Sequence, residues 1–457
     1  MITVIVPVLV LIVLIMVKKI PFVGGKVTYA LIIAGLLALL MGGVFNPLKW
    51  ALAWIDGIDK LAWIMALNIF GSIYAASQTE MKTLDLVLNV ARVSLGRSPK
   101  GLIVAIILVL GLAGSLLGDS VASATVVGIL VIGILSDMQI SPAGIGCIIM
   151  MGASLGSIMP PITQAVFLAS SLAQVDTTPV VNISYVTVGI GFVICTIYAV
   201  FTFVKIKSLP EHLIPNKTAG QIMHGNWHLM LPLAVLILLV ILQTAAGINL
   251  VQMATGPLMG WLSNITILKG LSNNIVTFLI TATLVSLFFR PVRRNLPKVV
   301  KNGVVGALPA VKVELGAALL LGAFYAAGQI EAVQAFAASM EAGALKVSGG
   351  LGILLISALT GSQSTGQNTI FSFLAPALTS VGVDPVHAAV ASAHIASGGQ
   401  AFPPVSAPAL AISAVVESIL VQKLGKDAGK VDPIRVMVLT LPMSIYFVIV
   451  GFLFLFI

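Results

Sequence analysis

Charge is what this sequence has least of. Asp, Glu, Lys and Arg together make up 9% of its 457 residues, against 59% hydrophobic residues, too few to coat a water-soluble domain. Cysteine is nearly absent: Cys147 and Cys195 each sit inside an apolar run, which excludes a disulfide framework. No HExxH, no paired cysteines and no glycine-rich phosphate loop occur, so zinc hydrolases and nucleotide enzymes lose their usual signatures. GASLG at 152–156 has the G-x-S-x-G spacing of a serine hydrolase. That chemistry needs a strand-to-helix turn and a histidine base, whereas the surroundings read as helix without a histidine nearby. The chain is therefore not expected to be an enzyme. A charge-first signal peptide is also missing, because MITVIVPVLVLIVLIMV precedes Lys18 and Lys19; it reads as the first transmembrane helix.

What is present is a series of apolar runs near the length needed to cross a bilayer, separated by short polar stretches. Full crossings are expected at 2–17, 27–45, 60–77, 142–175, 181–204, 229–246, 274–289, 312–330, 385–420 and 436–457. Two further apolar pairs, 101–136 and 349–382, read as hairpins. Alternate threading puts every Lys and Arg except Lys49, Lys60, Lys269 and Lys346 on one face, out of 24 in all. By the positive-inside rule that face is cytoplasmic and both termini are outside. The net charge of +9 and the pI of about 9.6 thus report orientation and give no reason to expect a nucleic-acid partner. Gly349–Ser362 is too short to span alone, which favours re-entrant hairpins over tight pairs of short crossings. Trp50 and Trp54 read as interfacial anchors, and Lys312 and Glu314 as residues at a helix start. Asp119 then stands as the acid placed deep in the membrane.

The segment ISPAGIGCIIMMGASLGSIMPPIT, 140–163, aligns without a gap on VDPVHAAVASAHIASGGQAFPPVS, 383–406. Upstream, LAGS ending at Ser115 aligns with LTGS ending at Ser362, with the second hairpin shorter by about one helical turn. The threading gives the two copies opposite directions. The expected fold is therefore an all-α polytopic membrane protein of inverted structural repeats, with two re-entrant helical hairpins and two broken helices. Its units fall at 1–77, 78–204, 205–311, 312–435 and 436–457. Matching interrupted helices in inverted repeats point to a secondary transporter's binding site.

Irregular backbone in hydrocarbon persists only where protein, ion, substrate or water satisfies it. Gly152, Ser154 and Gly156 are expected to unwind the first helix, and Pro160 and Pro161 to restart it. Half-helix N-termini at the breaks and after the tips GDS and TGQN favour an anion. Carbonyls and hydroxyls around Gly114–Ser115, Gly361–Ser362, 152–156 and 395–399 are hard oxygen ligands suited to Na⁺. Asp119 is a cation ligand or proton carrier, or else caps the limb that follows. Gln363, Gln367, Asn368 and Gln400 can donate to carboxylate oxygens, or bond one another. His394 reads as a packing histidine. Ser120, Ser123, Pro161 and Pro404 complete the positions expected to face the substrate.

The run GLAGSLLGDSVASATVVGILVIGILSDMQISPAGIGCIIMMGASLGSIMPPI, with GVDPVHAAV and the FPPV break, resembles the large membrane subunit of TRAP transporters, the DctM-like branch of the ion transporter superfamily. The resemblance implies an elevator mechanism in a prokaryotic cytoplasmic membrane, no cofactor beyond Na⁺ as coupling ion, and an organic carboxylate substrate. It assigns Ser115, Gly118 and Ser154 to a first cation site. Ser362, Thr365, Ser397, Gly398 and Gly399 fall to a second, and Thr163 and Ser406 face the substrate. Segments 78–100 and 331–347 become scaffold arms. A small four-helix membrane subunit and an extracytoplasmic binding protein are the implied partners. The alternative is a stand-alone homodimeric exchanger of the same superfamily, with Asp119 coupling to protons or cations. Asp119 and the glutamine-rich second tip depart from the family pattern.

Overall fold

The computed structural model describes residues 2–17, 19–214, 216–339, 341–425 and 430–457. Lys18 and Lys426, two of the cations assigned to the cytoplasmic face, lie outside them. All regular structure among the described residues is helical. The first part of the chain forms α1 (Ile2–Met16), α2 (Val27–Met41), α3 (Pro47–Glu80), α4 (Thr83–Leu95) and α5 (Pro99–Leu117). Then come α6 (Ser120–Val126), α7 (Gly128–Asp137), α8 (Pro142–Ile158), α9 (Gln164–Ala173) and α10 (Thr177–Phe203). A connecting region holds α11 (Ala219–Met223), α12 (Leu231–Ala246), α13 (Leu250–Ser263), α14 (Asn274–Ser286) and α15 (Arg290–Arg294). The remainder is α16 (Leu296–Ala326), α17 (Gln329–Ser339), α18 (Ala342–Thr360), α19 (Gln363–Gly366), α20 (Ser372–Ser380), α21 (Pro385–Ala401), α22 (Ala407–Leu424) and α23 (Pro433–Phe456). A π-helical turn, Gln367–Phe371, joins α19 to α20.

Seven of these helices are long and apolar enough to cross a membrane, or eight if α6 and α7, bent by 56° at their junction, count as one span. Of the other expected crossings, 2–17, 27–45, 229–246 and 274–289 appear as single shorter apolar helices, and 142–175 is divided by its break into α8 and α9. α18 has 19 residues, so the length argument for a re-entrant second limb does not hold. The helix begins at Ala342, and its first two turns include the buried Leu345 and Lys346, whose ammonium lies over the Phe456 ring at 5.2 Å. Trp50 and Trp54 lie within α3, and the Trp54 indole N–H donates to the Leu315 carbonyl at 2.9 Å. They belong to a 34-residue helix and not to a separate interfacial segment.

α3 and α16 form an antiparallel seam made by small residues. Added methyl groups on Gly57 and Gly322 would lie 1.8 Å from the carbonyl oxygens of Ala318 and Ala53, and one on Gly303 would lie 2.5 Å from the Ile73 Cα. Lipid tails are as apolar as leucine, so close backbone packing supplies much of the attraction between membrane helices. The boundary expected between 311 and 312 falls inside α16, which dissolves the helix start assigned to Lys312 and Glu314. Glu314 is buried in mid-helix and accepts a hydrogen bond from the Asn68 amide across the seam. Asp119 is thus not the single deep acid that the threading gave. α2 and α14 flank the seam, packing on α16 and α3 respectively.

Gly57→Val or Gly322→Val is expected to lower the thermal midpoint or abolish folding, because overpacking costs about 1–3 kcal/mol or more where backbone must move. Gly256→Val, which meets nothing within 4 Å, is the control; equal behaviour of all three in a thermal-shift assay contradicts the seam. Glu314→Leu leaves the Asn68 amide unpaired at about 1–3 kcal/mol, and Glu314→Gln, which keeps an acceptor, is expected to restore most of the lost midpoint.

Candidate functional site

Local chemistry makes the two tips and the two breaks. α5 and α18 both end at a glycine in the left-handed conformation, Gly118 and Gly361, each with φ +66°, which a side chain would oppose. The next residue caps the following helix. Asp119 accepts from the Ala122 N–H at 2.6 Å, and Ser362 Oγ accepts from the Thr365 N–H at 3.3 Å. α8 and α21 both run 17 residues and are followed by a Pro-Pro pair with a cis peptide bond, Pro160–Pro161 and Pro403–Pro404. Thr163 and Ser406 then cap α9 and α22.

One interval separates Pro99 from Ala342, Gly118 from Gly361, Pro142 from Pro385 and Gln164 from Ala407, all element starts or caps. The expected alignment of Ser115 with Ser362 and its one-turn gap are therefore replaced by a gap-free register. Asp119 stands opposite Ser362, Ser120 opposite Gln363, Ser157 opposite Gln400 and Ser154 opposite Ser397. The second limb starts at Gln363, two residues before TGQN, because Ser362 supplies the cap.

The glycines of the breaks do something other than expected. Gly152 and Gly156 lie inside α8, where helical hydrogen bonding continues to Met159. They let α8 approach α5, since an added methyl on Gly156 would lie 2.3 Å from the Gly111 carbonyl oxygen and one on Gly152 would meet Leu110. Gly398 and Gly399 likewise sit within α21, against Ser444 and Leu354. Pro160 and Pro161 precede the cap instead of forming the first helical turn, as do Pro403 and Pro404.

The tips meet the breaks. The Ile162 N–H donates to the Ser115 carbonyl at 3.0 Å, and the Ala407 N–H to the Gly361 carbonyl at 3.4 Å. Ser115 Oγ is used locally, donating to Leu112, and Ser123 Oγ donates to Leu110. Across the two halves, Gln400 Nε2 donates to Ser120 Oγ at 2.8 Å and Gln367 Nε2 to the Ala165 carbonyl at 2.8 Å. Gln400 Oε1 accepts from the Gln363 N–H at 3.1 Å, and Gln363 Oε1 accepts from Ser397 Oγ at 2.9 Å. Thr365 Oγ1 donates to Ser362 Oγ. The side-chain amides thus bond backbone and hydroxyl groups and not one another, and both polar side-chain atoms of Asn368, together with Ser154 Oγ, Ser357 Oγ and Gln367 Oε1, are buried without a partner. His394 is a packing histidine, held between the Val390 carbonyl and Thr187 Oγ1 at 2.8 Å each.

Thr163 and Ser406 are fully buried caps, while Pro161 is buried and Pro404 exposed. A cavity of about 100 Å³ separates the first tip and break from the seam, lined by Gly118, Asp119, Ile162, Gln164, Asn68 and Ser72. A cavity of about 330 Å³ with mixed polar and apolar walls reaches Pro161, Asp176, Gln243 and Asn273. Asn68 and Ser157 escaped the sequence reading. Ser157 follows from the gap-free register once Gln400 is singled out, whereas Asn68 carries no local signal.

A family model described as Tripartite ATP-independent periplasmic transporter, DctM component, matches residues 8–457. No curated protein matches the chain. Among solved structures, the YdaH transporter of Alcanivorax borkumensis, described as having an unusual topology, is similar in fold. Its TM-score is 0.56 at 13% identity, covering 88% of this chain and 86% of that one.

Gln400→Ala removes a bridge between the halves and leaves the Gln363 N–H unpaired. The thermal midpoint is expected to fall by an amount equivalent to about 1–3 kcal/mol, and an unchanged midpoint contradicts the bridge.

Proposed function

This chain belongs to the DctM component family of tripartite ATP-independent periplasmic transporters, and from that premise we propose that it carries an organic carboxylate inward with Na⁺ by an elevator movement. It is the large membrane permease subunit of such a system, a multi-pass transporter and not an enzyme. The proposed architecture is two inverted repeats, each with a re-entrant hairpin and a broken helix. The proposed membrane is the bacterial inner one, with both termini outside. What supports the repeat is the single interval relating caps, left-handed glycines and Pro-Pro breaks in the two halves. What supports re-entrance is the bonding of each tip to a break that divides an otherwise span-length pair of helices.

The observation that carries the transport reading is the set of buried, unpartnered polar atoms on the elements that meet at tips and breaks. Ser154 Oγ and the Asn368 amide have no partner, and orphaned groups of this kind cost about 1–3 kcal/mol each unless something else satisfies them. In the proposed mechanism Na⁺ sits at the first tip and break, where Ser154 and the carbonyls ending α8 offer oxygen, with Asp119 supplying negative charge nearby. The carboxylate lies between the halves, taking donors from Asn368 and Gln400 and from the N-terminus of α9 behind Thr163. The α3–α16 seam is the static part, and α5–α9 with α18–α22 is the part that moves. An extracytoplasmic binding protein delivers the substrate, and a small four-helix subunit completes the complex. Proton coupling through Asp119 is the second reading, favoured by its place on the wall of the small cavity.

Thermal unfolding in Na⁺ against equimolar K⁺ or choline, with a panel of carboxylates, tests this. The expected outcome is a Na⁺-specific rise enlarged by one acid, about 2.7 kcal/mol of stabilisation at a hundredfold excess over Kd. A midpoint indifferent to Na⁺ and shifting with pH near neutrality replaces Na⁺ by protons at Asp119.

A further inference from the structure

The corner between α14 and α16 gathers positive charge that the transport reading does not use. Over residues 290–301 the chain carries Arg290, Arg293, Arg294, Lys298 and Lys301 and no acid. All five side chains belong to exposed residues. Lys298 is paired, its Nζ lying 3.1 Å from Glu80 Oε2, and the Asn295 amide donates to the other Glu80 oxygen at 2.8 Å. Among the described residues no ion pair forms at Arg290, Arg293, Arg294 or Lys301. Their backbone is fixed from behind, because Val292 and Val299 are buried against Met81 at the end of α3. Four cations without an acidic partner therefore stand on one short, anchored corner.

The surface around that corner is apolar and aromatic. α14 arrives with Leu284 and Phe288 exposed, Phe288 by 82%. α16 leaves with Lys301 at the head of an exposed stripe, Val304, Val305 and Leu308, whose spacing of three, four and seven residues puts them on one helix face. Nearby, the His228 ring stacks on Phe289 at 6.0 Å, and the exposed Trp227 meets His228 edge-on. An exposed tryptophan of this kind suits the boundary between membrane and water. Orientation in the membrane needs only an excess of cations on one side. It gives no reason for arginines to be set between exposed apolar helix faces and beside an aromatic stack. A soluble anion matches the charges and leaves the apolar flanks unused. A phospholipid matches both, its phosphate oxygens taken by guanidinium forks and its acyl chains laid along the helices. A zwitterionic headgroup brings its own ammonium into the cluster, so an anionic one is favoured.

We propose that the α14–α15–α16 corner is a binding site for an anionic phospholipid of the phosphatidylglycerol class, in the leaflet on the face assigned to the cytoplasm. Arg290, Arg293, Arg294 and Lys301 hold the headgroup phosphate. The acyl chains lie on Leu284 and Phe288 and on the stripe of α16. Through Val292 and Val299, which pack on Met81, the bound lipid ties the end of the α3–α16 seam to the leaflet.

Native mass spectrometry of the purified full chain, released from micelles holding equal amounts of phosphatidylglycerol and phosphatidylcholine, tests the site. Selective retention of phosphatidylglycerol is expected. Arg293→Gln combined with Arg294→Gln should weaken it about tenfold. Lys205→Gln combined with Lys207→Gln, which alters two exposed cations of the same face outside the corner, should leave it unchanged. Lys301→Gln is the second variant at the site and is expected to weaken retention in the same direction, so the test stands if the arginine variant does not fold. Equal retention of the two lipids, retention unaltered by the corner substitutions, or equal loss in the control overturns the site. Displacement of the lipid by an equal concentration of glycerol phosphate makes the corner a free-phosphate site and overturns the lipid. Phe288→Ser is expected to weaken retention as well, and no change there overturns the placement of the acyl chains. Absence of any retained phosphatidylglycerol overturns the proposal and leaves this surface to a protein partner.

Discussion

A backbone amide or carbonyl in the hydrocarbon of a membrane must find its partner in the protein, since no water is there to supply one. The irregular backbone at the tips and breaks is arranged around that requirement. Both helix breaks are met by a tip from the same half, Ile162 bonding Ser115 and Ala407 bonding Gly361. Each tip is closed by a left-handed glycine and each new helix by a hydroxyl or carboxylate cap. The breaks exist because four short loops satisfy one another, and the same convergence leaves a few polar atoms over.

Helix packing serves the same end. Glycines in α8 and α21 bring those helices onto α5 and α18 closely enough for tips and breaks to touch. The seam of α3 and α16 uses the same device at larger scale. Asn68 connects the two systems, since it bonds Glu314 within the seam and also lines the cavity that faces Asp119.

Much of this was legible in the sequence, for stated reasons. Apolar run length gives a membrane protein, and the aligned PP pairs give two matching interruptions. Capping chemistry can be read wherever Ser, Thr or Asp precedes a helix, as at Asp119, whereas Thr163 and Ser406, expected to face the substrate, prove to be caps as well. Other features were not legible. Gly152 and Gly156 look like helix breakers in isolation, and only the presence of α5 beside them turns them into packing residues. LAGS and LTGS look alike as words, yet the fold equates Gly118 with Gly361, because a left-handed turn is set by φ and not by flanking identity. Glu314 looked like the start of a helix because the crossing was begun too late; its partner Asn68 lies far away in sequence. Gln363 was visible as an amide, but its bond to Ser397 depends on a register that only the caps fix.

The seam of α3 and α16 bears on how the protein is made. Gly57 must lie against Ala318, which is synthesised roughly 260 residues later, on the order of 10–50 s at about 5–20 residues per second. Throughout that interval α3 stands in the bilayer with its glycine face uncovered and Asn68 without its carboxylate partner. The seam is therefore closed only once α16 has been made, long after α3. During biogenesis, the surface of α3 that later becomes the rigid seam is the one left open to lipid or to other membrane helices.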